Sequence, residues 1–360
     1  MLEAVIARDD LLKQIDALRR RWTLIGPVRR DAPQCQPPVR YFYEPVERAE
    51  QIALDFSACV YSPKAYVLPP RETLFRFDHD RGRFSAQPVF DHTRTALVGV
   101  HPCDLHALRT LDRALALDAP DEHYSARREH LFLVGVDCAG PCREGVFCGD
   151  LGTNRIDVGF DVLLIPLRNG DAHAPVEYGI RFGSDAGRAW LRGSPEGDRT
   201  RPPDAADERD HVSFEHRKRS RFQPALRSRR EDIAGVLARS YDSLLWDATA
   251  RRCYSCGSCN LVCPTCYCFD IRDENDLAPG RGARERVWDA CMLREFALVA
   301  GDHNFRPKAA QRLRHRVYRK GAWIEQRTNA PGCVGCARCD RACTARIGIV
   351  EILNQLAEEG

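Results

Sequence analysis

A chain of 360 residues has room for two domains, and 44% hydrophobic with 29% charged residues is ordinary globular composition, against long disorder or a collagen-like chain. Mean hydropathy is -0.43, and no uncharged apolar run approaches the roughly 20 residues a bilayer span requires, so the chain reads as soluble with no membrane span. The net charge of +3 points by itself to neither a nucleic acid nor a membrane surface.

In chain order, residues 1–30 are broken by charge every few positions and lack the apolar core of a secretory signal, which predicts a cytoplasmic protein with reduced thiols. Three short apolar runs, ALVGV (96–100), LFLVGV (131–136) and VLLIPL (162–167), have the length and composition of buried strands. Between the first two, Leu105, Leu108, Leu111 and Leu115 recur at helical spacing behind Asp104, a candidate N-cap. These elements predict an α/β N-terminal domain over 1–192. Residues 193–232 are charged and proline-bearing and read as a linker or mobile loop. Ile233, Val236, Leu237, Leu244 and Leu245 then mark an amphipathic helix, and Val350, Leu353 and Leu356 mark another at the end of the chain. A mainly α-helical ferredoxin-like domain is expected over 233–360.

The distinctive feature is 17 cysteines, an odd number in a chain too long to need disulfide staples, which favours metal ligation. Cys253, Cys256, Cys259 and Cys263 follow C-x2-C-x2-C-x3-C with Pro264 next, the spacing of bacterial two-cluster ferredoxins. Cys333, Cys336, Cys339 and Cys343 repeat it, with Thr344 where proline would stand. Three thiolates at three-residue intervals can wrap one cubane while the displaced fourth reaches a neighbour. Cys253, Cys256 and Cys259 would then share a 4Fe-4S cluster with Cys343, and Cys333, Cys336 and Cys339 would share one with Cys263. Gly257 and Gly335 would let backbone amides approach the sulfurs. Structural zinc has no use for the third thiolate of each run, and no thioredoxin-like setting supports a thiol-redox C-x-x-C site.

Other cysteines leave alternatives open. Cys266, Cys268 and Cys291 either face a common site or pack as small hydrophobes. Cys103, Cys138, Cys142 and Cys148 follow two neighbouring strand ends and either hold a third 4Fe-4S cluster or are ordinary thiols. No Rossmann glycine fingerprint, P-loop, zinc-protease motif or nucleophile elbow is present in the sequence. His101, His106, His303 and His315 are scattered. The basic stretch 303–323 has only Tyr318 amid its basic residues, so it reads as a solvated helix face or a docking surface for an acidic protein, and not as a nucleic-acid site.

The segments GVHPCDLHAL, DEHYSARREHLFLVGVDC, CYSCGSCNLVCPTCYCFD, WDACMLREFALVAGDHNFRP and CVGCARCDRACT resemble the beta subunit of sulfhydrogenase-type, NAD(P)-linked nickel-iron hydrogenases, with the iron-sulfur subunit of anaerobic sulfite reductases as a sister group. The resemblance runs from about Tyr66 to the C-terminus. It implies an iron-sulfur subunit relaying electrons between a flavin subunit that oxidises NAD(P)H and a nickel-iron hydrogenase module; the alternative is the same relay to a sirohaem sulfite reductase subunit. The eight cysteines of the two runs match the family's ligands. The family's C-x-C pair is interrupted here by Val146 before Cys148. A wire of clusters without a substrate pocket or catalytic base is not an enzyme by itself; a stand-alone Fe-S reductase would need an open iron position and a pocket. Iron and acid-labile sulfide on anaerobically purified protein should give about eight irons per chain for two clusters or about twelve for three. Zinc without sulfide would overturn the relay.

Overall fold

The computed structural model describes residues 1–35, 37–80, 83–169, 175–194, 197–276 and 280–359. The N-terminal half opens with β1 (Ala4–Ala7), α1 (Arg8–Leu18), β2 (Thr23–Asp31), β3 (Val39–Pro45), β4 (Arg71–Asp80) and β5 (Arg83–Pro88). It continues through β6 (Thr95–Val100), α2 (Pro102–Ala114), α3 (Glu122–Glu129), β7 (Leu131–Val136), β8 (Val162–Asn169), β9 (Pro175–Phe182) and α4 (Asp185–Arg192). The three apolar runs of the sequence form β6, β7 and β8.

These strands build a seven-stranded sheet in the order β1-β9-β8-β7-β6-β2-β3. Its centre, β2-β6-β7-β8, is parallel. Antiparallel β3 closes one edge, and β9 and β1 close the other, so the sheet is mixed. Every residue of β7 is buried, as a strand covered on both faces must be. Leu11 and Ile15 of α1 and Leu105, Leu108 and Leu111 of α2 join the same core. The helix after β6 begins two residues before the expected cap, with Pro102 in its first turn and His101 as the N-cap residue. Asp104 lies inside the helix because its carboxylate serves a distant partner: Arg338 Nη1 and Nη2 donate to its two oxygens at 2.7 Å each.

The segment 193–232 departs from the expected linker. Within it α5 (Ala205–Arg221) is capped by Asp204, whose side chain accepts from the Ala206 and Asp207 amides. Phe214 on α5 packs with Leu2 just before the large sheet and with Val5, Ile165 and Leu167 in it, and Lys218 donates to buried Asp137 at 2.5 Å. Apolar residues are sparse in this helix because it spends only one on the core. Charge pairing fixes the rest.

The C-terminal half contains α6 (Ile233–Arg239), α7 (Leu245–Ala250), α8 (Ser258–Leu261), β10 (Phe269–Asp276), β11 (Arg281–Trp288), α9 (Ala309–Tyr318), α10 (Ile324–Thr328), α11 (Arg338–Ala342) and α12 (Ile349–Glu358). The expected helix after Ile233 is broken into α6 and α7. Strands interrupt the expected mainly α-helical domain: β10 and β11 make a hairpin of paired eight-residue strands. That hairpin joins β4 and β5 in an antiparallel sheet ordered β10-β11-β4-β5, so residues near 285 complete a sheet begun near 75. Glu72 on β4 accepts from Arg286 on β11 at 2.6 Å and pairs with Arg127 on α3 at 2.5 Å, while Arg286 also pairs with Asp121. Among the described residues, no helix is long and apolar enough to cross a membrane.

The Arg338–Asp104 pair ties the second cysteine run to the N-terminal sheet, with both side chains buried. Asp104→Ala strands a buried guanidinium and should cost about 3–5 kcal/mol in denaturant unfolding, whereas replacing both residues by Leu and Met should cost markedly less.

Candidate metal centres

Each cysteine run is a loop leading into a short helix, and the two loops share one backbone design. Ser255 and Gly257 have φ of 53° and 77°, and the matching Gly335 and Ala337 have φ of 66° and 52°. Left-handed residues at the second and fourth positions after the leading cysteine turn successive amides toward the loop interior. The Ser255 amide donates to Cys253 Sγ at 3.4 Å and the Gly335 amide to Cys333 Sγ at 3.5 Å. α8 and α11 then carry the third cysteine of each run, Cys259 and Cys339.

The first nest crosses the sequence. Cys253, Cys256, Cys259 and Cys343 line one space of about 320 Å³, open solvent included, together with Gly257 and Met292. The Ile347 amide donates to Cys343 Sγ at 3.3 Å. In the second nest Cys263 is an electrostatic neighbour of Cys333, Cys336 and Cys339. Burial pushes the Cys333 thiol up to about 12 and raises Cys336 and Cys339 as well. Among the described residues, no three His, Cys, Asp or Glu side chains converge on a point where a single metal ion would sit.

The basic stretch 303–323 turns inward, contrary to the solvated face expected of it. Arg312, Arg316 and Lys320 recur at four-residue spacing along α9 and the π-helical turn Arg319–Trp323, and all three are buried. Arg312 donates to the Met292 and Pro307 carbonyls and to Ser255 Oγ, bracing the first loop. Arg316 is 5% exposed, and its Nε has no hydrogen-bond partner. Burial opposes its charge, but Cys259 of the first nest and Cys339 and Cys263 of the second outweigh that and hold it protonated. Lys320 donates to Thr265 Oγ1 at 2.7 Å and is raised by Cys263, Cys266 and Cys333 against the same burial penalty. A buried cation facing sulfurs, with an N–H left over, fits a site that carries negative charge. Thiolate-bound iron-sulfur clusters meet that demand, so the residues fit the cofactor that the spacing predicts.

The N-terminal cysteines come together beside the second nest. Cys138, Cys142 and Cys148 are electrostatic neighbours, and Cys103 neighbours Cys148 and Cys336. Cys103 packs with Val334, while Cys142, Val146 and Cys148 pack with Ala337. Burial pushes Cys138 up to about 12 and raises Cys103 and Cys148 too. The Phe147 amide donates to the Gly335 carbonyl at 2.9 Å, and Thr153 Oγ1 donates to the Val334 carbonyl at 2.8 Å. Cys266, Cys268 and Cys291 are buried together on the other side of Cys263, around the Asn260 amide. His101 stacks on Phe56 at 4.1 Å, and burial lowers it to about 4, which suits a neutral core ring.

Sequence reasoning passed over Arg316, Lys320, Asn260 and the Asp104–Arg338 pair. The i, i+4, i+8 spacing of Arg312, Arg316 and Lys320 was the available signal.

Two comparisons bear on this arrangement. Residues 252–347 match the family model described as a 4Fe-4S dicluster domain. Over 335 residues the chain is 32% identical to sulfhydrogenase 2 subunit beta of Pyrococcus furiosus, covering 92% of each chain.

The Gly335 loop is tight: a Cβ there would lie 2.4 Å from the Cys148 amide nitrogen. Gly335→Ala should therefore cost more than the ~1–2 kcal/mol of a left-handed alanine in denaturant unfolding. Ser255→Gly relieves the same backbone preference but removes the Oγ that accepts from Arg312, so the two effects offset and its stability should change less than that of Gly335→Ala.

Proposed function

The chain belongs to the sulfhydrogenase beta-subunit family, and from that premise we propose that it relays electrons between a flavin subunit oxidising NAD(P)H and a nickel-iron hydrogenase module in the cytoplasm. The observation that carries this reading is the crossed first nest, in which Cys343 lines the same space as Cys253, Cys256 and Cys259. In this reading those four hold one 4Fe-4S cluster, and Cys333, Cys336, Cys339 and Cys263 hold the second. Bound clusters would supply one-electron redox centres. The protein donates amide N–H groups to Cys253, Cys333 and Cys343, and sets the electrostatics of both nests with Arg316 and Lys320.

Cys256 is the exposed member of the first nest, and exposed Tyr254 and Leu261 flank it, which makes this face one terminus of the wire. Cys103, Cys138, Cys142 and Cys148 extend the path from the second nest as ligands of a third cluster. The relay regions are 1–192 and 233–360, with α5 bracing the first against the large sheet.

Cys343→Ala and Cys336→Ala should each remove about four irons per chain, from different clusters, with distinct signals lost in reduced-state electron paramagnetic resonance. A zinc-only protein, or one in which both variants keep their iron, would refute the assignment. Copurification of flavin and nickel-iron subunits with the tagged chain tests the partners; a sirohaem subunit in their place would move the relay to sulfite reduction.

A further inference from the structure

Three buried thiols lie beside the second run's partner Cys263 and belong neither to the eight cysteines of the two runs nor to the N-terminal group: Cys266, Cys268 and Cys291 are 7%, 9% and 2% exposed. The second sheet brings two of them together. Phe269 opens β10 opposite Trp288, which closes β11, and the Asp289 amide donates to the Cys268 carbonyl at 3.0 Å, so Cys268 and Cys291 emerge side by side from the open end of one hairpin. Their sulfurs are hydrogen-bonded to each other. Asn260 Nδ2 donates to Cys291 Sγ at 3.2 Å and to Cys266 Sγ at 3.4 Å, and Cys266 in turn is hydrogen-bonded to Cys263. An unbroken line of sulfur contacts and one amide thus runs from Cys291 to a ligand of the second cluster.

We propose that Cys268 and Cys291 form a redox-active dithiol that exchanges two electrons with the relay. In the oxidising direction the Cys268 thiolate and the Cys291 thiol lose one proton between them, one S–S bond forms, and two oxidised clusters each accept one electron. In the reducing direction two reduced clusters each give one electron, the S–S bond breaks and one proton is taken up, leaving a thiolate beside a thiol. No external oxidant is needed, because the clusters are the co-reactant. The couple gives one-electron centres a two-electron store inside the same chain. It rests on the reading of Cys253 to Cys343 as cluster ligands.

The local chemistry suits exchange. The hydrogen bond from the Cys291 thiol holds Cys268 down to about 6, while the same bond and burial push Cys291 up. A thiolate beside a thiol is the starting pair for S–S bond formation. The Arg319 guanidinium neighbours Cys268, Cys266 and Cys291 and favours the thiolate.

The test uses the full chain with whatever subunits copurify. Samples are equilibrated anaerobically over a range of potentials and quenched in acid. They are then alkylated in denaturant before and after reduction, and read by mass spectrometry. Cys268 and Cys291 should pass together from linked to free as the potential falls, with iron per chain constant. In a dithionite titration Cys291→Ser should take up two fewer electrons per chain and keep its iron. No Cys268–Cys291 link at any potential, or equal electron uptake by the variant, overturns the proposal. Loss of iron from Cys291→Ser also overturns it, by making that thiol a ligand. If the variant does not fold, the alkylation of the unsubstituted protein decides alone. Fewer than about eight irons in that protein would refute the cluster assignment independently of the thiol result.

Discussion

A positive charge buried among sulfurs is the constraint around which the C-terminal half is arranged. Arg316 has given up water, its Nε is left without a partner, and the neighbours that weigh most on its charge are cysteine sulfurs. Such a group is tolerable only if negative charge lies close by in a medium of low permittivity. It faces sulfurs of both nests, so the two nests have to meet on the inward face of one helix. α9 and the π-helical turn that follows it serve as that helix, and the turn's extra residue keeps Lys320 on the same inward face. The flanking apolar residues Leu313 and Val317 anchor the helix in the second core. Charge compensation and packing are thus properties of one short segment.

The same economy appears in the cysteine loops. Two runs 80 residues apart in sequence, from Cys253 to Cys333, adopt matching left-handed positions although the residues there differ, Ser255 and Gly257 in one and Gly335 and Ala337 in the other. Glycine stands where a neighbour leaves no room for Cβ: Ala290 beside Gly257 and the Cys148 backbone beside Gly335. Serine and alanine stand where there is space, and accept the backbone cost. The second loop is the more enclosed one because α2 and the 146–153 loop of the N-terminal half pack on it.

Local pattern made much of this legible in the sequence. β6, β7 and β8 are continuous apolar runs, α12 shows its helical stripe, and the spacing of the cysteines announces the 4Fe-4S dicluster family match over 252–347. What stayed hidden depends on pairing over long separations. β10 reads FDIRDEND, a charged and mostly exposed strand, and its pairing with β11 is what makes it a strand. Asp104 has the look of an N-cap until Arg338, more than two hundred residues away, claims its carboxylate. The basic stretch looked solvent-facing because composition reports charge and not direction. α5 looked like a linker because its stability comes from one phenylalanine, a cap and ion pairs, none of which leaves a periodic apolar trace.

The sheet shared by residues 71–88 and 269–288 has a consequence for biosynthesis. As the chain leaves the ribosome, β4 and β5 exist for about two hundred residues with β4 lacking its partner β11, an unpaired edge open to wrong contacts. The sheet closes only after the first cysteine run has been made and before the second has emerged. At that stage Cys343, which lines the same space as Cys253, Cys256 and Cys259, has yet to be made. Vectorial synthesis thus imposes an order on how the two runs meet that a full-length chain refolding from denaturant does not have to follow.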